Sequence, residues 1–227
     1  MAAGGRGERA ASAHRDPKQF WTLGGRPLID WSVAALLASG CEPVIVVLPE
    51  AFLDRSDLVC APWGGVRISC VRGGDTRQAS VRAGLETVDA DRVVIHDGAR
   101  PFARPDVFRR VITALEEFPA AVAAVPIEET VKRVSEGRVL ETLDRGGLWR
   151  VQTPQAFRTE TLAEAHRAAL EAGVEATDDA ALVERIGGTV AIVTGARYNL
   201  KVTYPEDLAL AEALVKDHPF PFAGADG

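Results

Sequence analysis

The chain has 227 residues and a formal net charge of −6, which argues against a bulk basic surface for binding nucleic acid. Its hydrophobic share, 47 %, is enough to fill the core of one sizeable domain. No apolar run approaches the roughly 18 residues of a membrane span, and the Gly-, Arg- and Ala-rich start lacks the apolar stretch of a signal peptide, so a cytoplasmic protein without a membrane partner is expected. Cys41, Cys60 and Cys70 have the spacing of neither a zinc knuckle nor a redox pair and read as reduced, packed thiols.

The chain opens on Ala2-Ala3-Gly4-Gly5-Arg6-Gly7-Glu8-Arg9. Glycines let a backbone approach a polyphosphate and turn N–H groups toward it. Arg9 adds a planar, permanently charged fork, and Lys18 a second cation after a linker. Taken alone, the stretch reads equally well as a flexible tail. In a doubly wound nucleotide-binding fold such a loop follows a first strand. No strand-like run precedes this one, so the sheet is expected to lack its first strand. The preferred reading is a start lying further upstream; the alternative is a central slot with unpaired main-chain groups.

Helix and strand patterns then alternate. Residues 27–39 place Leu28, Trp31, Ala35 and Leu36 on one helical face, and Gly40 follows as a stop. Apolar runs at 44–48, 66–71, 92–96, 120–125 and 189–193 read as buried strands of a parallel sheet covered on both faces. Helices are expected over 75–88, with Asp75 as a candidate N-cap, and over 105–118. Two more, 159–172 and 177–186, each open on a Thr, and the last, 205–216, opens on Pro followed by acids. The pattern predicts an α/β fold, Rossmann-like and doubly wound around a mostly parallel sheet.

Residues 128–149 break this rhythm. They alternate polar and apolar side chains around turn signals at 135–137 and 146–147, which predicts a protruding β-arm. Val131, Val134, Val139, Leu140 and Leu143 on that arm need a covering surface, and a second copy of the chain in a homodimer is the expected one. The Pro- and Gly-rich end, 219–227, reads as a disordered tail.

Two further clusters follow predicted strands, where open α/β sheets bind ligands. Arg72-Gly73-Gly74-Asp75-Thr76-Arg77-Gln78-Ala79-Ser80 can present main-chain groups at Gly74, with Asp75 and Ser80, to the polar edge of a base; it is also an ordinary turn with an N-cap. His96-Asp97-Gly98-Ala99-Arg100 offers a hard carboxylate oxygen for Mg²⁺ beside an arginine for phosphate; it is also a structural Asp–Arg pair. His96 reads as a packed strand residue.

The strings AAGGRGER, DPKQF, GGDTRQASV, HDGARPF, DRGGLWRVQTPQAF, TDDAALVE and NLKVTYPEDLALAE, with Thr130-Val131-Lys132, occur in an order that resembles the 2-C-methyl-D-erythritol 4-phosphate cytidylyltransferases of the non-mevalonate isoprenoid pathway, over nearly the whole chain. The resemblance implies a single nucleotidyltransferase domain over 1–218 that transfers CMP from CTP to that sugar-alcohol phosphate. It implies Arg9 and Lys18 as groups stabilising the transition state. Ala3, Gly4, Gly74, Asp75 and Ser80 fall on base-reading positions. Asp97 falls on the Mg²⁺ position, with Gly98 and Arg100 beside it. Thr130, Arg145, Thr177 and Lys201 fall on the acceptor side, Arg145 and Lys201 holding its phosphate for attack. A cytidylyltransferase for another polyol phosphate, such as ribitol phosphate, and a non-catalytic nucleotide-binding protein are the alternatives.

Overall fold

A computed structural model describes residues 1–2, 17–63 and 67–217. Ala3, Gly4, Arg9 and the tail 219–227 lie outside the described residues. A small hairpin, β1 (Thr22–Leu23) and β2 (Arg26–Pro27), leads into α1 (Leu28–Leu37), β3 (Val44–Leu48), α2 (Ser56–Cys60), β4 (Ile68–Arg72) and α3 (Arg77–Leu85). Then come β5 (Arg92–Ile95), α4 (Pro105–Thr113), β6 (Ala120–Pro126), β7 (Lys132–Ser135) and β8 (Arg138–Thr142). β9 (Trp149–Arg158), α5 (Thr159–Glu171), α6 (Asp179–Arg185), β10 (Val190–Thr194) and α7 (Pro205–Asp217) follow.

Four strands form one sheet in the order β10-β6-β9-β5, and β3 with β4 forms a parallel pair beside it. Ala2 links the two through parallel bridges to Val47 and to Asp97. β10 runs parallel to β6, but β9 is antiparallel to both β5 and β6, so the architecture is α/β with mixed sheets. The sequence reading names no strand over 150–158. The run Gln152-Thr153-Pro154-Gln155 is polar and contains a proline, a composition that argues against a central strand.

β6 shows why the layers stack as they do. Its residues Ala120 to Val125 are buried on both faces. Ala120 and Val122 pack with Leu162 of α5 and Leu182 of α6, while Ala121 and Ala123 pack with Val107 and Val111 of α4. Alternate residues thus serve opposite layers, and small side chains let both helical layers approach closely. α1 departs from the one-faced expectation. Ile29, Val33 and Leu36 join the core around Phe108, whereas Leu28 and Trp31 join one with Phe102, Val202 and Ala211. Wedged between two cores, α1 buries even Asp30 and Ser32. The fully buried Phe108 and Phe157 each contribute on the order of 1.5–3 kcal/mol by removal from water.

Three helix starts differ from expectation. Thr76, not Asp75, caps α3, its hydroxyl accepting from the Ala79 N–H at 3.1 Å. Asp178, not Thr177, caps α6 by accepting from Ala181 N–H at 3.0 Å, and no side chain caps α5 at Arg158. In both capped cases the acceptor stands three residues before the N–H it satisfies, one position later than the sequence reading placed it. All three cysteines are free thiols, with Cys60 and Cys70 sulfurs 3.7 Å apart. β7 and β8 pair as a hairpin in which every residue is exposed.

Candidate active site

The loop after β5 is held by a buried polar network. Thr153 of β9 lies beside it because β9 runs antiparallel, pairing Gln155 with Ile95. The Asp97 N–H donates to Thr153 Oγ1 at 3.0 Å, and that hydroxyl lies 3.0 Å from His96 Nδ1. His96 Nε2 lies 3.2 Å from the Arg100 carbonyl oxygen, which can only accept. These contacts fit one neutral tautomer: Nε2–H donates to Arg100 and Nδ1 accepts from Thr153. Burial pushes the His96 pKa down to about 3, in keeping with a neutral ring. His96 is therefore a packed positioning residue.

Asp97 is the centre of a charge cluster. Its Oδ2 is 2.9 Å from Lys201 Nζ and 3.4 Å from Arg100 Nε, and its Oδ1 is 3.5 Å from Arg77 Nε. Burial alone would raise its pKa; Lys201, Arg77 and Arg100 outweigh burial and hold the carboxyl well below the usual range. Arg77 also reaches Asp179 Oδ2 at 2.7 Å, and Asp179 Oδ1 lies 3.0 Å from His166 Nε2, with Asp179 and His166 both 1 % exposed. Three cations, Arg77, Arg100 and Lys201, thus meet two carboxylates, Asp97 and Asp179, in one connected network.

Lys201 reaches Asp97 because its loop is tied down twice. The Val202 N–H donates to the Ala99 carbonyl at 2.8 Å, and Arg100 donates to the Asn199 carbonyl at 2.9 Å. Asn199 Nδ2 donates to the Thr153 carbonyl at 2.9 Å, and Gln152 Nε2 to the Ala196 carbonyl at 2.8 Å. Gly195 admits this clamp: a Cβ there would lie 2.3 Å from Gln152 Oε1. Gly74 has a similar constraint, since a Cβ there would lie 2.5 Å from that of Ala79, and its carbonyl accepts from Ser80 Oγ at 3.2 Å.

A cavity of about 610 Å³ opens beside this cluster. Asp97, Arg100, Thr177 and Lys201 line it, so four residues singled out from the sequence share one wall. Lys18, Gly74, Asp75, Ser80, Gly98, Thr130 and Arg145 are not among its lining residues. Lys18 sits in a short 3-10 turn (Lys18–Phe20), Gly98 is buried, and Thr130 and Arg145 are exposed, with Arg145 donating to the Glu128 carbonyl. Arg77, Gln152 and Gln155 line the cavity without having been singled out as site residues. Gln155 donates to Asp178 at 2.8 Å, and its buried Oε1 has no partner among the described residues. A signal was present: Gln152, Thr153 and Gln155 lie close together between the apolar Val151 and Ala156-Phe157, and polar side chains so placed are expected to bond something.

The chain matches the family model "IspD: 2-C-methyl-D-erythritol 4-phosphate cytidylyltransferase" over residues 1–217. It is 43 % identical over 219 residues to the 2-C-methyl-D-erythritol 4-phosphate cytidylyltransferase of Thermosynechococcus vestitus, covering 94 % of this chain and 93 % of that protein. It is 44 % identical over 223 residues to the bifunctional enzyme IspD/IspF of Rhodospirillum rubrum, covering 95 % of this chain but 56 % of the relative. The crystal structure of 2-C-methyl-D-erythritol 4-phosphate cytidylyltransferase from Thermus thermophilus superposes with a TM-score of 0.77 at 39 % identity, covering 88 % of this chain and 94 % of that one. The α/β fold and these likenesses define a nucleotidyltransferase. The chain belongs to the 2-C-methyl-D-erythritol 4-phosphate cytidylyltransferase family.

Proposed function

We propose that the chain transfers CMP from CTP to 2-C-methyl-D-erythritol 4-phosphate at the cavity beside Asp97, releasing pyrophosphate for isoprenoid precursor synthesis. The supporting observation is the crowding of Lys201, Arg100 and Arg77 around one carboxylate on a cavity wall. Its size, about 610 Å³, suits a small-molecule site, which typically measures roughly 300–1,000 Å³.

An acceptor phosphate oxygen attacks the α-phosphorus of CTP. A new P–O bond forms, the bridge to the β-phosphorus breaks, and pyrophosphate leaves with the electron pair. The acceptor phosphate is largely ionised near neutral pH, its second pKa being about 6, so no side chain has to act as general base. The work left to the protein is to bring two polyanions together and stabilise the charge that develops. Arg9 and Lys18 serve the triphosphate; Lys201, Arg145, Thr130 and Thr177 hold the acceptor. Ala3, Gly4, Gly74, Asp75 and Ser80 read cytosine, with Gly98 and Arg100 flanking the phosphates.

Asp97 suits Mg²⁺ by its chemistry. It is held ionised, and Mg²⁺ is commonly bound by one or two carboxylates with substrate phosphates supplying further oxygens. Among the described residues no cluster of three His, Cys, Asp or Glu forms a dedicated metal cage. Bound there with CTP, Mg²⁺ would offset phosphate charge.

The reading extends to a Rossmann-like, doubly wound core whose hairpin β7–β8 is an arm for a homodimer. Val134, Val139 and Leu140 are 55 %, 60 % and 61 % exposed on it, apolar area that a second copy would cover. No described helix is long and apolar enough to cross a membrane.

CTP-dependent pyrophosphate release, measured with 2-C-methyl-D-erythritol 4-phosphate and with ribitol 5-phosphate, tests the proposal. Turnover with the first at least about tenfold above the second is expected, a discrimination of roughly 1.4 kcal/mol. Preference for ribitol phosphate, or no CTP-dependent release with either, would overturn it.

A further inference from the structure

Arg77 reaches the cavity wall with its guanidinium engaged on two sides. Nε faces Asp97 Oδ1 at 3.5 Å and Nη1 donates to Asp179 Oδ2 at 2.7 Å, while Nη2 has no hydrogen-bond partner among the described residues. The second contact is the strong one, because a charge-assisted N–H···O bond is about 2.7–2.9 Å long and a 3.5 Å contact gives little direction. Asp97 also has Lys201 at 2.9 Å to satisfy. The aim of Arg77 is therefore set from behind, by Asp179.

Asp179 on α6 and His166 on α5 stand behind that wall. Neither lines the cavity, and each is 1 % exposed. Asp179 Oδ1 lies 3.0 Å from His166 Nε2, and no other hydrogen bond reaches that oxygen among the described residues. A carboxylate oxygen can only accept, so Nε2 carries the hydrogen. His166 Nδ1 is buried and has no partner among the described residues. Leu162, Ala165 and Ala169, on the same helix, belong to an apolar core with Leu182 of α6. A leucine at 166 would meet the needs of packing without the cost of a buried, unpaired ring nitrogen. What the imidazole adds is the one donor to Asp179.

We propose, on the reading that CMP transfer takes place in this cavity, that His166 is a positioning residue for the reaction. Its Nε2–H occupies Asp179 Oδ1, which leaves Oδ2 to hold Arg77 in the one orientation that presents its remaining N–H groups to an anion in the cavity. Without the imidazole, the Asp179 carboxylate is free to rotate about its last bond, and Arg77 follows it. A misplacement of about 1 Å at a group that stabilises developing charge can cost up to about a hundredfold in rate. Affinity for CTP, spread over many contacts, changes far less.

Two replacements separate the donor from the packing. His166→Leu keeps an apolar side chain of similar bulk and removes the donor; His166→Gln sets an amide N–H near the place of Nε2–H. Steady-state pyrophosphate release should show kcat lower by about tenfold or more for His166→Leu and within about threefold of the parent for His166→Gln. CTP affinity from direct titration should stay within about threefold in both. Unaltered kcat in His166→Leu, equal losses in the two variants, or a loss of CTP affinity as large as that of kcat would overturn the proposal. Nitrogen-15 NMR of the parent imidazole needs no variant. A protonated Nε2 is expected, and a ring protonated at Nδ1 alone would overturn the assignment. The Arg77 Nε–H resonance, identified by its loss in Arg77→Lys, should be one sharp line in the parent and in His166→Gln, and should broaden or split in His166→Leu. An unchanged line in His166→Leu also overturns it. The two NMR readings use no turnover, so they decide the role of His166 even if the parent releases no pyrophosphate, the result that would instead refute the proposed reaction.

Discussion

The Asp97 cluster and the β7–β8 hairpin carry similar kinds of side chain and use them in opposite ways. Around Asp97, charged groups are drawn from α3, the loop after β5, the α6 start and the loop before α7, and each is fixed by a buried partner. On the hairpin, Arg133 meets Glu141 and Lys132 donates to Thr142 at 2.5 Å, but every residue is exposed. A charge whose partners are buried cannot relax toward water when one of them is removed, whereas an exposed one can. Position is therefore enforced at the cavity and left to solvent, or to a partner, at the hairpin.

The sharpest way to break this contrast is Arg77→Ala. It leaves Asp179 buried with His166 alone and takes one cation from Asp97. The expected loss is about 3–5 kcal/mol, a fall in Tm on the order of 10 °C. An unchanged denaturation midpoint would mean that the buried partners do not enforce position. Asn199→Ala comes next. It strands the Thr153 carbonyl that Nδ2 satisfies, and about 1–3 kcal/mol should be lost in urea titration.

Asp30 sharpens the contrast from a third side, as a buried carboxylate in α1 away from the cavity. Its Oδ1 lacks a hydrogen-bond partner among the described residues, and burial raises its pKa to about 6, with Arg26 opposing. A carboxyl raised above its unfolded value favours folding most below about pH 4, and that contribution is lost as pH rises through about 6. Asp30→Asn should remove this decline, worth about 2–3 kcal/mol. Parallel stability–pH curves for the two proteins would refute the assignment. Arg133→Ala on the hairpin should have the smallest effect, within about 0.5 kcal/mol. A larger loss would show that the hairpin's ion pair is held as rigidly as the cavity's.

Much of the layering was legible in the sequence, and the reason is period and composition. Runs such as Val44–Leu48 and Ala120–Pro126 are apolar at every or nearly every position, which only strands buried on both faces require. β9 was not legible, because the side chains it contributes at Gln152, Thr153 and Gln155 answer to a neighbouring loop rather than to the sheet's core. The same asymmetry holds at the cavity. Asp97 and Arg100 stand in a short loop whose composition invites attention, and Lys201 in a string that resembles a family. Arg77 looks like an ordinary helix residue until folding brings Asp97 and Asp179 to it from 20 and 102 residues away. Pairings that distant leave no local pattern.

Lys201→Ala addresses the centre of the account most directly, because Lys201 is the cation nearest Asp97 and also lines the cavity. Steady-state pyrophosphate release should show kcat lower by about a hundredfold or more, the scale of removing one preorganised donor. CTP affinity from direct titration should stay within about threefold, a change of under ~1 kcal/mol. Unaltered kcat, or a loss confined to CTP affinity, would contradict a site in which Lys201 holds the acceptor phosphate for attack.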